Sequence, residues 1–427
     1  MKIDTTHLSG KTVAVALSGG IDSVVLLHAL YNLRDSVGFE LKAVHVEHGI
    51  RSEESKRDMH YCISLCESLS IQLVCREYEV SEYRHLGDSL EQAARELRYR
   101  CFSELINEGY CDYIATAHHL MDNSETVLMR IFRGTGISGL AGISPRRDHY
   151  LRPLIDCSKE EIIEYARAHN LTYFDDSTND DVRYTRNFIR HDILPLIRQR
   201  YPQVDEAIRR LSISSSQDEE YLLSVAEGLV RREGEVVFVS HKGAPLPLLK
   251  RAIRIAFGYI GVSVDIEDRH LSIIIDSIYD SKPITLDMPY STKVSIEGDR
   301  LCVYRPTPKD ESTITIAGEG LYQMGGYRVI VSRVDDMIVK GALYADARYI
   351  VGATLRTRRD GDVFMPYGSG TKKLKDYLID KKIPLRLRDN LPLICRDKEV
   401  LVLTTHEISD LVKVTTDTTD IYRIQIL

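Results

Sequence analysis

The run Ser18-Gly19-Gly20-Ile21-Asp22-Ser23 follows a Val-rich apolar stretch and opens an amphipathic one. Adjacent glycines let the backbone turn tightly and set its N–H groups against an anion. A helix starting there adds unsatisfied donors and about half a positive charge at the same spot. Ser18 and Ser23 supply hydroxyls, and the Asp22 carboxylate can help hold Mg²⁺. The plainer alternative is a glycine turn in which Asp22 or Ser23 caps the helix. No Gly-Lys-Ser/Thr follows the glycines, so this is not a Walker A loop. Gly368-Ser369-Gly370-Thr371-Lys372 lacks both the Walker spacing and a buried strand before it.

Three further runs carry titratable groups. His45-Val46-Glu47-His48-Gly49-Ile50-Arg51 closes a second apolar stretch. Glu91 to Tyr99 places Arg95 and Arg98 on one helical face. Thr116-Ala117-His118-His119-Leu120-Met121-Asp122-Asn123-Ser124-Glu125-Thr126 places His118, Asp122 and Glu125 on one helical face. That trio suits a metal site, or a general base beside a Mg²⁺ ligand; it also suits a capping box at Asp122 and Glu125. Two imidazoles and two carboxylates converging with a phosphate loop favour chemistry.

These runs must be positioned by the elements around them. Val13–Leu17, Leu41–Val46, Ile71–Arg76 and Tyr113–Ala117 read as strands. They alternate with helices at Asp22–Leu33, Ser52–Ser70 and Ser89–Asn107. That order predicts right-handed βαβ units: an α/β, doubly wound, mainly parallel, Rossmann-like sheet. Ligands then bind outside the carboxyl ends of the strands, where the runs at Ser18, His45 and Thr116 fall. This first domain is expected over residues 1–210. A second, mixed domain over 212–305 has helices at Tyr221–Arg232, Pro247–Tyr259 and Ile266–Tyr279, and a hairpin of Lys293–Glu297 and Arg300–Tyr304 across Gly298-Asp299. Arg305 to Asp310 is proline-rich and charged, a linker. A third, small domain occupies 320–427.

The 427 residues exceed one ordinary core. No apolar run reaches transmembrane length, and the amino terminus does not read as a signal peptide, so a cytoplasmic protein off the membrane is expected. Eight cysteines form no CxxC pair; Cys62 and Cys66 lie four apart on one helical face, and reduced thiols are expected. The net charge of −7 excludes a uniformly basic coat but not a local patch. Between Gly352 and Arg388 ten basic residues, among them Arg358, Lys372 and Lys373, oppose four acidic ones. Phe364 and Tyr367 are interleaved, a pattern that fits phosphate contact and base stacking, or a solvated charged face. Arg183, Arg186 and Arg190 make a second basic row.

The Ser18–Ser23 loop resembles the pyrophosphate loop of the N-type ATP pyrophosphatases, the PP-loop superfamily, which splits ATP to AMP and pyrophosphate. The other runs closely resemble lysidine synthetases: His45 to Arg51, Ala94 to Tyr99, Thr116 to Thr126, Arg133 to Gly136, Arg152-Pro153-Leu154, and Asp176-Ser177-Thr178-Asn179 with Arg183, Arg186-Asn187 and Arg190. Arg359-Asp360-Gly361-Asp362 and Lys372 to Pro384 extend the likeness, while the middle domain matches only in length and position. Asn123 departs from relatives that carry a second Asp there. The resemblance implies ATP, Mg²⁺, free L-lysine and the CAU-anticodon isoleucine tRNA as cofactors and partners, with a homodimer possible. It implies Ser18 to Ser23 on the pyrophosphate, Asp22 and Glu125 on Mg²⁺, and His118 and Asp122 on lysine. Arg95 and Arg98 would meet the lysine carboxylate or the RNA, and Arg183, Arg186, Arg190, Arg358, Lys372 and Lys373 the tRNA. The rivals are a tRNA thiolase of the same superfamily, a small-molecule amide synthetase, and a non-catalytic RNA binder.

Overall fold

The computed structural model describes residues 1–47, 52–78, 90–174, 185–262, 266–280, 284–334 and 342–427. They fall into two compact units, Met1–Tyr221 and Leu222–Leu427.

The first unit is built on strands β1 (Thr12–Ala16), β2 (Glu40–Glu47), β3 (Gln72–Glu77) and β4 (Tyr113–Ala115), with the short pair β5 (Arg146–Arg147) and β6 (Tyr150–Leu151). Their order across the sheet is β3-β2-β1-β4-β6-β5. All neighbours are parallel except β5 and β6. The helices are α1 (Ile21–Val37), α2 (Ser52–Ser68), α3 (Leu90–Asn107), α4 (Leu120–Phe132) and α5 (Lys159–Ala168). Alternation along β1 explains why helices cover both faces. Val13 and Val15 enter a core with Val24, Leu27 and Leu30 of α1, Cys62 and Cys66 of α2 and Ile162 of α5. Ala14 turns the other way, toward Phe102 and Leu105 of α3. Side chains on a strand point to opposite faces, and each fully buried aliphatic one contributes about 1.5–3 kcal/mol. The expected Rossmann-like sheet is therefore present, with strand register such as Val13↔Leu41 and Val13↔Tyr113.

One element differs from the expected division. A single helix, α6, runs from Val204 to Glu227, through the boundary expected at 210–212 and through the start of the helix expected at Tyr221. No glycine or proline interrupts the chain between Gln203 and Gly228, so nothing stops it. The stretch after it, expected to stay helical to Arg232, instead forms strand β7 (Val230–Glu233), which turns at Gly234 (φ +61°) into β8 (Val236–Ser240).

In the second unit, helices α7 (Leu246–Tyr259) and α8 (Asp268–Tyr279) cover an antiparallel sheet of order β7-β8-β11-β10-β9. Its β9 is Thr285–Met288, and the hairpin of β10 (Thr292–Glu297) and β11 (Arg300–Tyr304) turns at Gly298-Asp299 as the sequence predicts. Arg305 to Ser312 has no regular structure. The Asp310 carboxylate anchors that stretch by accepting from Ser312 N and Gly325 N at 2.9 and 2.8 Å. Two further sheets follow, of seven and four strands, with a helix at Leu374–Asp380. Among the described residues no helix is long and apolar enough to cross a membrane.

Candidate active site

The phosphate loop leaves β1 and enters α1 as expected. Gly19 has φ +88°, a conformation that favours glycine, and Gly20 is the N-cap of α1 without any side-chain cap. Ser23 Oγ accepts from Ser18 N at 3.1 Å and donates to the Gly20 carbonyl at 2.9 Å, so it braces the loop and does not cap the helix. Asp22, in the first turn, does not cap it either. Ile21 is buried and anchors the turn. Apart from Gly20 N, which meets Ser18 Oγ at 3.4 Å, the start of α1 has no side-chain cap, which suits an anion cradle.

Next along the sheet edge, His119 is the N-cap of α4, its Nδ1 accepting from Met121 N at 3.2 Å. Asp122 completes the capping box by accepting from His119 N at 2.9 Å. The box is therefore His119 with Asp122, not the Asp122 and Glu125 box considered from sequence. His118 precedes the helix and is not on its face, though the Asp122 charge still acts on its imidazole. Burial pulls the His118 pKa down to about 4; Asp122 opposes that, and Arg152, Arg186 and Arg95 reinforce it. The imidazole is thus neutral at physiological pH. Its Nδ1 lies 2.9 Å from the Thr116 hydroxyl. Burial works against the Asp122 carboxylate, yet His119 and Arg186 outweigh it and hold its pKa below the ordinary value.

Glu125 is wholly buried. It accepts from Arg186 Nε at 2.6 Å and from Arg190 Nε at 2.5 Å, while Arg186 Nη2 also reaches Asp122 at 2.8 Å. Arg186 comes from the short helix Thr185–Phe188, and Arg190 from the π-helical turn Ile189–Ile193 that follows it. Glu125 was expected on Mg²⁺ and Arg186 and Arg190 on the tRNA; here both Glu125 oxygens accept from these two guanidinium groups, which close over the acidic pair. Arg183 and the Asp176–Asn179 run lie outside the described residues, as do His48, Gly49 and Arg51.

Sequence reading missed three participants. Lys159 opens α5, and its Nζ lies 2.5 Å from Asp22 Oδ1. A cation in a helix's first turn opposes the helix dipole, and that was the available signal. His119 Nε2 lies 3.8 Å from Asp22 and 3.7 Å from Asp122, between the two carboxylates. Arg152 is buried at the end of β6. Arg95 lies over the Tyr99 ring at 5.1 Å, and both Arg95 and Arg98 are exposed. His45 is buried and donates Nδ1–H to the Leu17 carbonyl at 2.8 Å, holding the chain as it enters the loop. Asn123 ties Ile143 N to α6 through Ser212, a packing role.

Much of the carboxy-terminal basic run is internally paired. Arg356 and Asp362 form a buried bidentate pair at 2.8–2.9 Å, with side chains 4% and 1% exposed. Arg358 meets Asp389, Lys372 meets Asp380, and Arg386 meets Glu297. Lys373, Lys375 and Lys382 remain exposed.

A glycine-rich anion loop at the carboxyl edge of a parallel sheet, with Asp22 beside it, defines a PP-loop nucleotide-binding domain. Residues 2–197 match the family model described as a PP-loop domain, and residues 353–425 match the TilS substrate C-terminal domain. Curated tRNA(Ile)-lysidine synthases are similar over nearly the whole chain. That of Clostridium acetobutylicum is 34% identical, covering 97% of this chain and 95% of its own. Those of Caldanaerobacter subterraneus subsp. tengcongensis and Bacillus subtilis are each 31% identical, covering 97% and 91% of this chain and 93% and 88% of theirs. The chain belongs to the tRNA(Ile)-lysidine synthase family.

Proposed function

We propose that this chain uses ATP to adenylate the carbonyl oxygen of the wobble cytidine in the CAU anticodon of an isoleucine tRNA, releasing pyrophosphate. The ε-amine of free lysine then attacks the same carbon. AMP leaves with the oxygen, and the amine loses its proton, so the products are lysidine, AMP and pyrophosphate. The observation that carries this reading is the loop of Ser18 to Ser23, which leaves the α1 N-terminus without a side-chain cap, in a chain similar to a lysidine synthase over 97% of its length.

The loop N–H groups and the Ser18 hydroxyl hold the pyrophosphate portion. Asp22, a hard oxygen ligand at the loop, would hold Mg²⁺, which would supply positive charge against the phosphates. Neutral His118 can accept a hydrogen bond from an N–H of the lysine amine, which attacks only when unprotonated. Its Nδ1–H can donate to Thr116, which leaves the Nε2 lone pair for that hydrogen bond. Asp122 and Glu125 attract the incoming ammonium, displacing the guanidinium groups that now neutralise them. The exposed lysines of the carboxy-terminal unit, with Arg95 and Arg98, contact the tRNA. A homodimer in the cytoplasm completes the proposal, and sedimentation with and without tRNA measures its stoichiometry.

A thiolation reading is less well supported. Burial pushes the thiol of Cys62 upward, that of Cys66 to about 12 and that of Cys157 to about 11, and a thiol held protonated is a poor nucleophile.

The test is transfer of radiolabelled lysine to CAU-anticodon isoleucine tRNA, with Mg-ATP present and omitted. ATP-dependent labelling that disappears in Asp22→Ala supports the reading. Pyrophosphate release without labelling would keep adenylation and reject lysine as the nucleophile.

A further inference from the structure

Arg152 stands immediately after β6, whose Leu151 pairs with Ala115 of β4. Thr116 N donates to the Leu151 carbonyl at 2.9 Å, so Arg152 and the Thr116–His118 turn leave the sheet side by side at its ligand edge. Pro153 follows and biases Arg152 toward extended backbone, so the side chain is fixed by the strand and not by a helix.

The residue is only 8% exposed. Its Nη1 donates to the Ser144 carbonyl at 2.8 Å. Its Nε is buried and meets no acceptor among the described residues. A guanidinium has five donors and never accepts, and a buried charged group without a counter-ion is costly. No carboxylate forms an ion pair with it among the described residues. Burial lowers its pKa and the Tyr99 phenol works the other way, while Arg147 and Arg95 add like charge nearby. A buried cation with cationic neighbours and an unused donor suits an anion from outside the chain.

The reaction brings three kinds of anion. The phosphates of ATP belong to the loop after β1, which lies two strands, about 10 Å, from β6. Backbone phosphates of a tRNA are bulky and stay at the surface, where Arg95 and Arg98 already offer exposed guanidinium groups. The remaining anion is the carboxylate of the amino acid, small enough to follow its own chain inward. The site has matching poles. Asp122 and Arg152 both act electrostatically on His118, from opposite signs of charge.

We infer that Arg152 binds the α-carboxylate of free lysine, while the acidic pair Asp122 and Glu125 draws its ε-ammonium to the reacting end. This rests on the lysine-ligating function proposed above. Arg152 then selects an amino acid over a simple diamine, because only the former completes its hydrogen bonds.

The experiment compares L-lysine with cadaverine, which has the same terminal amine and no carboxylate. Each is transferred to CAU-anticodon isoleucine tRNA with Mg-ATP by the full-length protein, as wild type, Arg152→Gln and Arg152→Lys. The proposal expects wild type to prefer lysine. It expects Arg152→Gln to lower that preference in kcat/KM by about 10- to 100-fold, chiefly by raising the KM for lysine. Arg152→Lys recovers part of it. The ratio of the two amines in one preparation does not depend on how much of a variant folds. Equal losses for both amines would overturn the proposal in favour of a structural role. A rise in KM for ATP or tRNA with lysine preference intact would overturn it in favour of a phosphate. Wild type that transfers no lysine at all would instead overturn the ligase function, and the proposal with it.

Discussion

Lys159 Nζ lies 2.5 Å from Asp22 Oδ1, which joins the first turns of α5 and α1 at the phosphate loop. The pair offsets two local costs at once: a cation at a helix N-terminus, and a carboxylate facing the site of an incoming polyphosphate. When ATP binds, the ammonium has an oxygen-rich ligand within reach of its four-carbon stem. Lys159→Ala is expected to slow tRNA-dependent pyrophosphate release by about tenfold or more, as loss of a charge-assisted contact implies. Unchanged release in that variant would confine Lys159 to holding Asp22.

The buried Glu125 depends on Arg186 and Arg190 for its charge balance. Removing one partner leaves the carboxylate partly uncompensated. The guanidinium groups keep 28% and 20% exposure, so the cost falls below that of a fully buried pair. Arg190→Met should destabilise the first unit by about 2 kcal/mol, or about 4–8 °C in Tm. In the Arg190→Met, Glu125→Gln double variant the losses should be smaller than their sum. Strict additivity would show that the pair does not form in solution.

The depressed pKa of His118 makes stability depend on pH in one direction. An unfolded histidine titrates near 6.5, whereas this one stays neutral to about pH 4. Above about pH 6.5 neither state is protonated and the residue contributes no slope. Between about 6.5 and 4 the unfolded chain takes up a proton that the folded chain refuses, so stability falls as the solution is acidified. Thermal melts at pH 7 and pH 5 should show that loss in wild type, and a smaller one in His118→Gln. An identical loss in both would assign the acid sensitivity elsewhere.

In the carboxy-terminal unit, pairing separates structural cations from exposed ones. Arg356→Ala breaks a buried bidentate pair and is expected to lower Tm. Lys373→Ala and Lys375→Ala should leave Tm in place, weaken tRNA binding, and each reduce the salt dependence by about 0.7–0.9 in log–log slope. Tm losses from the lysine variants would contradict this division.

The β1–loop–α1 unit was legible because strand, glycine turn and helix are local signals within about a dozen residues. So was the parallel sheet, from the alternation of Val-rich strands with amphipathic helices. The pairing of Arg186 and Arg190 was not, because their carboxylate partners lie more than sixty positions earlier in the chain. A row of arginines reads the same whether it faces RNA or a buried glutamate. His118 was placed on a helix because periodicity cannot locate the residue at which a helix begins; the His119 side chain decides that by capping. The continuity of α6 was available in the absence of breakers, but a change of composition obscured it. Arg356 and Asp362 were both counted in the basic run, and only folding showed that they cancel.

On the proposed function, the closure of Arg186 and Arg190 over Asp122 and Glu125 sets a threshold for whatever amine is to enter. A competitor attached to the same chain acts at an effective concentration on the order of millimolar or above. Free diamines, ammonium ions and stray lysine side chains must outbid that tethered rival with a single charge. An amine that brings a second point of attachment gains on both at once, so the acidic pair can be strongly attractive to cations and still discriminate among them.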